Sequence, residues 1–527
     1  MSTLNKEGTF DRRGFVKGSM AAAAIMGLGT LAACSPTAKD ESGVGRDPLS
    51  ETGWDDSADV VVVGLGGGLG AVLSAAEAGV TVIGIEKLSM LGGNWAINSG
   101  IVFAPATDAM KAAGDKDERT GQEDTIESAV ADWIRCSRGN GDPVLVEAIL
   151  KEEQAFINSL VAAGVDVRTE LCGMADAPIA RGHYILDADG NRCSGGAFVN
   201  EVTKRIDQAD EKIMTDTEAT ALIFDDNYSV CGVEVKTAEG RKRIGAKAVV
   251  VATGGYTASQ HMRAMYNPET VGWGVIGHET ATGDGYRMLL DQGAAFCPFK
   301  KIVPSVTMEP NSGDTFQSND YQTFWKNQAH SLIMLDDQGR RNRPETMPYT
   351  QIGGDLLTSP NYQLFDQAEV DDPNFTLMKT GTKESLAKAI EDGWILKADT
   401  VEELAEALYL DPDTVAGEVA DYNAGVAAGK DKFGRPVDSM RELKPPFYMA
   451  TGINGMSGTD CNCVKVDEQG RVLDGMGNPL KGVYGGGNDM FYMNWAGPSY
   501  IASGGGAGAC YAFSAIVGRN AAAYAQA

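Results

Sequence analysis

Apolar runs separated by helical stretches mark the predicted start of the folded chain. Residues 59–63 read Asp-Val-Val-Val-Val, and this run lacks the polar alternation of a half-exposed strand, so it predicts a parallel strand covered on both faces. An Ala-rich helical stretch then runs to Gly79, and a second apolar strand is predicted over 81–85. This strand-helix-strand order predicts an α/β fold.

The loop after the first predicted strand is rich in glycine and reads Gly64-Leu65-Gly66-Gly67-Gly68-Leu69-Gly70. Glycine lets a backbone approach a pyrophosphate closely, and the N-terminus of the following helix supplies amide donors and a favourable dipole. Glu86 follows the second strand, where dinucleotide-binding folds place an acid for the ribose hydroxyls. The third glycine of the pattern is expected at Leu69 and comes one residue late, at Gly70. The loop therefore predicts dinucleotide binding with one departure from the pattern.

Further glycine segments extend the predicted cofactor site. Lys87 precedes Leu91-Gly92-Gly93-Asn94, a strand from Ala248 ends in Thr253-Gly254-Gly255, and a later strand ends in Gly485-Gly486-Gly487-Asn488. Each segment offers a backbone turn without side chains in the way of a ligand. Several such segments fit a ligand larger than NAD, so FAD is favoured over NAD as the main cofactor.

In order and spacing, these segments resemble those with which the fumarate reductase, flavocytochrome c and 3-ketosteroid dehydrogenase flavoproteins hold FAD. The resemblance covers nearly all of the chain from Asp59 to Ala521. It extends to 218–221, to 282–285 and to a helix-entry loop over 503–508, which would lie under the pyrimidine edge of the flavin. The resemblance implies FAD as the cofactor and implies these contacts with it: Gly64, Gly66, Gly68, Glu86, Lys87, Gly92, Gly93, Asn94, Ala219, Thr253, Gly254, Gly255, Asp284, Gly487, Asn488, Ser503 and Gly504.

The architecture of the family implies an α/β fold in which a Rossmann-like FAD-binding domain is split by an inserted α+β cap domain. On this basis we expect residues 57–275 and 450–527 to form the FAD-binding domain and residues 276–449 to form the cap. The active site is expected where the cap meets the flavin, because ligand sites favour domain interfaces.

The resemblance also implies catalytic residues. A flavin moves a hydride at its N5 atom, while the protein binds the substrate over the ring and supplies or removes a proton on the opposite carbon. In fumarate reductases an arginine donates that proton and is fed by a glutamate and a second arginine. The segment 337–345 resembles the one that leads to this relay glutamate, which assigns the role to Glu345, with Arg341 as a nearby cation.

The chain departs from the family at the remaining polar positions. Pro348 stands where the relay arginine is expected. The segment 365–370, where the proton-donating arginine is expected, contains no arginine. Thr459 stands near the place of the substrate-binding histidine, and Ala502 near that of the C-terminal arginine. Burying a dicarboxylate without these cations would cost on the order of several kcal/mol per unpaired charge. Fumarate itself is therefore disfavoured as the substrate.

A different resemblance appears close to the C-terminus. The segment 494–500 resembles the ketosteroid dehydrogenase stretch of an aromatic residue, Ala, Gly, Pro and a small residue. Trp495 stands where that family has a tyrosine and cannot act as an acid, so Tyr500 becomes the candidate proton donor. The alternative is a tyrosine packed at the cap interface with its hydroxyl satisfied.

The first residues carry the pattern of a twin-arginine export signal. Arg12 and Arg13 precede a short apolar run over 20–33, which ends at Cys34. We expect a signal over 1–34 and a polar linker over 35–56. Cys34 also fits a lipobox, in which it would be acylated; the alternatives are a plain cleavable signal and, less favoured because the run is short, a spanning anchor.

Composition narrows the partners. The chain of 527 residues has a net charge of −27, which repels nucleic acid. Its nine cysteines form no CxxC or CxxCH, and with only four histidines no metal site is expected. The resemblance, together with the export signal, implies an exported FAD-dependent reductase of an activated carbon–carbon double bond, an enoate or an enone, with a separate membrane or haem electron donor. The alternatives are a ketosteroid-type dehydrogenase and a flavin lipoprotein that only transfers electrons.

Overall fold

The computed structural model describes residues 53–137, 139, 141–172, 174, 177–271, 273–297, 305–307, 332–346, 360–372, 383–391, 393, 395–457, 463–487 and 501–527. The predicted signal over 1–34 and its Cys34 lie outside these residues. So do most of the linker and the predicted site residues Asn488 and Tyr500.

The α-helices of the described residues are α1 (Leu69–Glu77), α2 (Gly93–Ile97), α3 (Asp108–Ala113), α4 (Ile126–Cys136), α5 (Pro143–Ala162), α6 (Gly196–Gln208), α7 (Gln260–Tyr266), α8 (Asp284–Leu290), α9 (Gln367–Val370), α10 (Lys383–Glu391), α11 (Val401–Ala407), α12 (Pro412–Ala428) and α13 (Gly505–Gln526). Short 3-10 helices cover Pro268–Thr270 and Val437–Ser439.

The strands of the described residues are β1 (Asp56–Val63), β2 (Val82–Ile85), β3 (Val102–Phe103), β4 (Val167–Glu170), β5 (Gly182–Ile185), β6 (Lys212–Met214), β7 (Glu218–Phe224), β8 (Val230–Thr237), β9 (Gly240–Val251), β10 (Gly274–Ile276), β11 (Phe296–Cys297), β12 (Ser305–Thr307), β13 (Leu332–Leu335), β14 (Asn361–Asp366), β15 (Ile395–Ala398), β16 (Phe447–Ser457), β17 (Cys463–Val464), β18 (Arg471–Leu473) and β19 (Pro479–Gly485).

A mostly parallel sheet carries the predicted cofactor segments. Its strands lie in the order β18-β19-β9-β1-β2-β6, and β7 and β8 continue from β9 as an antiparallel meander. Val60–Val63 of β1 pair in parallel with 82–85 of β2 and with 248–251 of β9. These β-branched residues are buried on both faces, as the apolar run predicted. The predicted α/β fold is therefore confirmed.

Helices α1 and α13 lie side by side next to this sheet, and glycines set their separation. A Cβ atom on Gly70 of α1 would lie 2.5 Å from the carbonyl oxygen of Tyr511 in α13. A Cβ atom on Gly518 would lie 2.4 Å from the carbonyl oxygen of Ala71. The late glycine of the loop pattern thus serves helix–helix packing. The close approach to β1 is made instead by Gly68, whose Cβ atom would lie 3.1 Å from Cγ1 of Val62 in β1 and 2.1 Å from the carbonyl oxygen of Gly64 directly after it.

A second sheet, mainly antiparallel, takes strands from the predicted cap and from both of its flanks. Its strands run β10-β16-β14-β13, with β12 and β15 also paired to β16. Two apolar clusters cover it, one around Leu364 and Met449 together with α11 and α12, the other around Phe365 and Tyr448 together with α10. Strand β16 belongs to this sheet along its whole length, so the predicted cap boundary at residue 449 falls inside it. The domain boundaries stay predictions.

Smaller elements complete the described chain. Strands β3, β5 and β4 form one antiparallel sheet, and β11 pairs with β17. Among the described helices, none is long and apolar enough to cross a membrane.

Candidate cofactor and active site

The glycine loop after β1 is crowded at each turn. Gly64 has a φ of +91°, and a Cβ atom there would lie 2.5 Å from the carbonyl oxygen of Ala252 at the end of β9. Cβ atoms on Gly66 and Gly67 would lie 3.1 Å from the Gly92 carbonyl oxygen and 2.1 Å from the Sγ atom of Cys510. A side chain at Gly64 or Gly67 would force the strand end, the loop or α13 to move, whereas at Gly66 the Gly92 carbonyl would have to give way by only a few tenths of an ångström.

Glu86 holds the glycine loop from the end of β2. Glu86 is 7% exposed. Its Oε2 atom accepts a hydrogen bond of 2.9 Å from the amide of Leu65, and its Oε1 atom accepts one of 3.0 Å from the amide of Leu88. The carboxylate therefore lies beside the loop, at the place predicted for the acid that contacts the ribose.

Lys87 and Asp284 meet although they are far apart in the chain. Their charged atoms are 2.6 Å apart, and Lys87 also donates to the hydroxyl of Thr282 at 3.1 Å. Asp284 begins α8, and the amide of Gly285 donates to the hydroxyl of Thr253 at 3.1 Å. The structure thus brings together three of the predicted cofactor residues, one just after β2, one just after β9 and one at the start of α8.

The segments around Asn94 and Gly487 are fixed in different ways. The side-chain oxygen of Asn94 accepts a hydrogen bond of 2.6 Å from the amide of His278, and Gly92 before it has a φ of 104°. The amide of Gly487, which follows β19, donates to the hydroxyl of Ser514 in α13 at 2.8 Å. Both segments are therefore anchored to neighbouring elements by hydrogen bonds.

The entry to α13 is held by the small β3-β5-β4 sheet and its flanking loop. The amide of Ser503 donates to the carbonyl of Cys172 at 2.7 Å, and the carbonyl of Gly504 accepts from Phe103 at 3.3 Å. Gly504 caps the helix with a φ of 81°, a conformation that favours glycine. The predicted contact Ala219 lies in β7 and is buried.

These segments fit FAD. Strands β2, β1, β9 and β19 are neighbours, and the glycine turns and acid follow their carboxyl ends, which is where doubly wound sheets bind dinucleotides. At Gly64 and Gly67 a Cβ atom would collide with neighbouring protein atoms, so glycine lets these turns keep their close packing at that edge of the sheet. The fold and the site therefore define a protein of the dinucleotide-binding α/β class.

Residues 59–506 match the family described as FAD binding domain, and the chain belongs to this family. FAD is therefore its cofactor, and the protein is an FAD-dependent oxidoreductase of the class that acts on CH–CH groups.

Similar proteins are spread over several activities. The probable fumarate reductase Ifc3 of Shewanella frigidimarina is 28% identical over 446 residues, which cover 82% of this chain and 70% of that protein. The urocanate reductase of Eggerthella lenta is 26% identical over 497 residues, covering 91% of this chain and 77% of that protein. The digoxin reductase of Eggerthella lenta is 26% identical over 533 residues, covering 90% of each.

Two solved structures share the fold. The 3-ketosteroid delta1-dehydrogenase from Sterolibacterium denitrificans superposes with a TM-score of 0.74 at 20% identity, covering 89% of this chain and 100% of that chain. The open conformation of a flavocytochrome c3 fumarate reductase gives a TM-score of 0.66 at 23% identity, covering 100% of this chain and 83% of that chain. This likeness establishes the architecture and leaves the substrate undecided.

The predicted catalytic pair Arg341 and Glu345 lies in a buried ion network of the cap. Arg341 donates to both carboxylate oxygens of Glu345, at 2.8 and 2.7 Å, and Arg435 donates to Glu345 at 3.0 Å. The amide of Met334 donates to the same carboxylate at 3.1 Å. Glu345 therefore has two cationic partners and a backbone partner, so its charge is well compensated.

Asp431 completes this network. Neither Asp431 nor Arg435 was predicted from the sequence. Asp431 pairs with Arg341 at 2.5 Å and accepts hydrogen bonds from the amides of Phe433 and Arg435. Burial by itself would raise the pKa of Asp431, but these hydrogen bonds hold that pKa below its usual value. Asp431 and Arg341 are far apart in the chain, and no local pattern links them.

Arg181 and His183 belong to a second buried network, next to the entry of α13. Arg181 pairs with Asp124 at 2.7 Å and with Asp132 at 2.9 Å, and all of its side chain is buried. His183 bonds to the hydroxyl of Thr107 at 2.7 Å, and burial lowers the pKa of His183 to about 4. The imidazole is therefore neutral at pH 7, and both side chains tie β5 to its neighbours.

Of the other candidate active-site positions, the structure describes Ala502 but not Thr459, Trp495 or Tyr500. Ala502 is completely buried directly before the entry of α13, and it brings no charge there. Thr459, Trp495 and Tyr500 lie outside the described residues. Within the described part of the chain, no group of three or more His, Cys, Asp or Glu side chains could hold a metal ion.

Proposed function

We propose that this protein is an exported FAD-dependent reductase of an activated carbon–carbon double bond in an enoate or an enone other than fumarate. The observation that carries the proposal is the FAD-binding family match over 59–506, in a chain whose relatives include proteins named fumarate, urocanate and digoxin reductases. The direction, reduction, is taken from those relatives. The electrons come from a separate carrier.

The chemistry divides between the cofactor and the chain. The bound flavin, once the separate carrier has reduced it with two electrons, would supply the hydride to one carbon of the double bond. The cofactor is held by the glycine turns around Gly64 and by the helix-entry loop that begins at Ser503. The buried ion network around Glu345 makes the core of the cap rigid. We assign the proton donation to Tyr500, the candidate acid that remains once the family's arginine is missing.

The exclusion of fumarate follows from the missing cations. Ala502 stands near the place where the family grips a substrate carboxylate with arginine, and Thr459 stands near the place where it uses histidine. A substrate with two carboxylates would lose the partners that offset its desolvation, whereas an enone or a monoanionic enoate would lose much less. The preferred substrate should therefore carry at most one carboxylate.

The proposed reaction predicts a clear optical result. Purified holoprotein that has been reduced anaerobically with reduced methyl viologen should be reoxidised by at least one enoate, cinnamate or steroid enone, and fumarate should be at least tenfold slower than that compound. The measurement is the flavin absorbance over time, with protein stripped of FAD as the control.

The other outcomes of this assay name the alternatives. If no compound reoxidises the flavin and a steroid reduces an artificial dye through the protein, the ketosteroid-type dehydrogenase is correct. If neither reaction occurs, a lipoprotein that passes electrons to a partner is favoured. Rapid turnover of fumarate would refute the substrate argument while leaving the reductase in place.

The export proposal has its own test. Changing Arg12 and Arg13 together to lysine should leave the precursor in the cytoplasm, because twin-arginine transport reads this pair. Immunoblots of cell fractions report the location. Cys34→Ser should abolish labelling by a lipid precursor if Cys34 is acylated, and should leave export intact; unchanged labelling would rule out the lipid anchor at this cysteine.

A further inference from the structure

The chain returns from the second sheet to the mostly parallel sheet through one short segment. Strand β10 pairs in parallel with β16 of the second sheet. Helix α8, the next helix along the chain, buries Tyr286 and Leu289 in the same apolar core as Val60 of β1. Residues 277–284 make this connection and end in the first residue of α8; we call them the return segment. Its position therefore relates one sheet to the other.

Lys87, directly after β2, holds the return segment through its ammonium group. This group donates to the carbonyl of Thr280, to the hydroxyl of Thr282 at 3.1 Å and to the carboxylate of Asp284 at 2.6 Å. A lysine ammonium has three N–H donors, and each of them has an acceptor here. All three acceptors belong to the return segment, so the whole donor capacity of Lys87 serves this one stretch of chain.

Two predicted cofactor loops hold the same segment near its ends. The amide of His278 donates to the side-chain oxygen of Asn94 at 2.6 Å, and the amide of Gly283 donates to the carbonyl of Gly255 at 3.2 Å. Asn94 lies in the loop after β2, as Lys87 does, and Gly255 lies in the loop after β9. The return segment is thus attached to both loops, and Lys87 attaches its middle.

The contact with Lys87 is the ionic one among these attachments. The side chains of Lys87 and Asp284 are 26% and 11% exposed, so water screens the pair only in part. Hydrogen bonds with an ionised partner are roughly twice as strong as neutral ones. Asp284 also pairs with Arg287, but Arg287 belongs to α8 itself and cannot attach the segment to another loop. Removing the ammonium group should therefore loosen the return segment most.

We propose that Lys87 is a positioning residue that fastens the return segment to the loop after β2, and that its side chain acts on the FAD site through this segment and not by direct contact with FAD. The return segment contains Asp284 and is hydrogen-bonded to Asn94 and Gly255, and the family resemblance assigns all three to FAD. Loosening the segment should therefore weaken FAD binding. The proposal does not depend on the substrate proposed above.

The test compares Lys87→Met with Lys87→Arg. Methionine has a similar length and no donor. Arginine keeps a positive charge that could serve a phosphate, but its planar group cannot donate to three acceptors gathered around one nitrogen. We expect both variants to weaken FAD binding by about tenfold or more, because charged hydrogen bonds are lost. Equilibrium dialysis of the holoprotein, with released FAD read by fluorescence, measures this. Hydrogen–deuterium exchange of amides 277–283 should also become about tenfold faster.

The matched control is Lys247→Met. Lys247 of β9 pairs with Asp59 of β1 at 2.7 Å, but its side chain is 62% exposed, so both readouts should change by less than about twofold. Wild-type FAD affinity in Lys87→Arg would overturn the proposal, because a cation alone would then suffice. It is also overturned if Lys87→Met leaves the exchange of 277–283 unchanged, or speeds the exchange of 60–63 in β1 equally, which indicates a general loss of stability.

A milder variant decides the question if the Lys87 variants do not fold. Thr282→Val keeps the shape of the side chain and removes one of the three acceptors of Lys87. It should speed the exchange of amides 277–283 by about threefold or more and weaken FAD binding in the same direction. Unchanged exchange in this segment would refute the proposal. None of these measurements uses the substrate, so failure of the proposed reductase activity would be seen separately.

Discussion

Replacing Gly64 by alanine should weaken FAD binding at least a hundredfold, about 2.7 kcal/mol. Two costs add at this position. Gly64 has a φ of +91°, which disfavours a residue with a side chain by about 1–2 kcal/mol. The new Cβ atom would also lie 2.5 Å from the carbonyl oxygen of Ala252, so β9 and the loop must separate. Because that loop contacts the cofactor in the proposed site, its displacement acts directly on affinity.

Gly79→Ala is the matched control for this change. Gly79 lies just after α1, the helix that the Gly64 loop precedes, and it also has a positive φ of +81°. A Cβ atom there nevertheless meets nothing within 4 Å. It therefore shares the backbone strain and lacks the clash. Flavin fluorescence during titration of the apoproteins gives both dissociation constants. Equal weakening of FAD binding by the two changes would show that backbone strain, and not the close approach of strand and loop, controls the site.

Removing the carboxylate of Glu345 should be the most destabilising change in the cap. Glu345→Ala should lower the free energy of unfolding by about 3 to 5 kcal/mol, because it leaves Arg341 and Arg435 buried without their shared anion. The side chains of these arginines are 2% and 0% exposed, so water cannot replace the lost partner. Denaturant unfolding of the purified holoprotein measures the difference.

A surface pair in the same region supplies the control. Glu442 pairs with Lys444, with side chains 53% and 67% exposed, and Glu442→Ala should change the unfolding free energy by less than about 0.5 kcal/mol. Glu345→Gln then separates the two roles considered for Glu345. Loss of turnover in a variant as stable as the wild type would support the proton relay. Loss of stability in parallel with turnover would identify Glu345 as the charged centre of the cap.

The two networks explain why catalytic assignment from sequence is harder than cofactor assignment. Glycine turns act through the backbone, so the role of a short segment such as 64–68 can be predicted from that segment alone. The role of a carboxylate such as Glu345 depends on the side chains that pair with it. Its cationic partners are Arg341, close to it in the chain, and Arg435, on a distant segment. The resemblance located Glu345 and Arg341, but it had no means of showing that Arg435 and Asp431 complete their environment.

Sequence by itself determined the α/β class, the dinucleotide loop and FAD, since runs of valine and glycine turns are local signals. It also led to Gly70 as the delayed third glycine, whereas the tertiary structure places Gly68 against β1 and gives Gly70 to helix packing. Only the tertiary structure decided that Lys87 meets Asp284 and that Glu153 is buried. Glu153 stands next to Lys151 and Glu152, where a charged helix face is expected. The packing of α13, which opens a space at Gly508, decides its environment, because burial depends on segments that are distant in the chain.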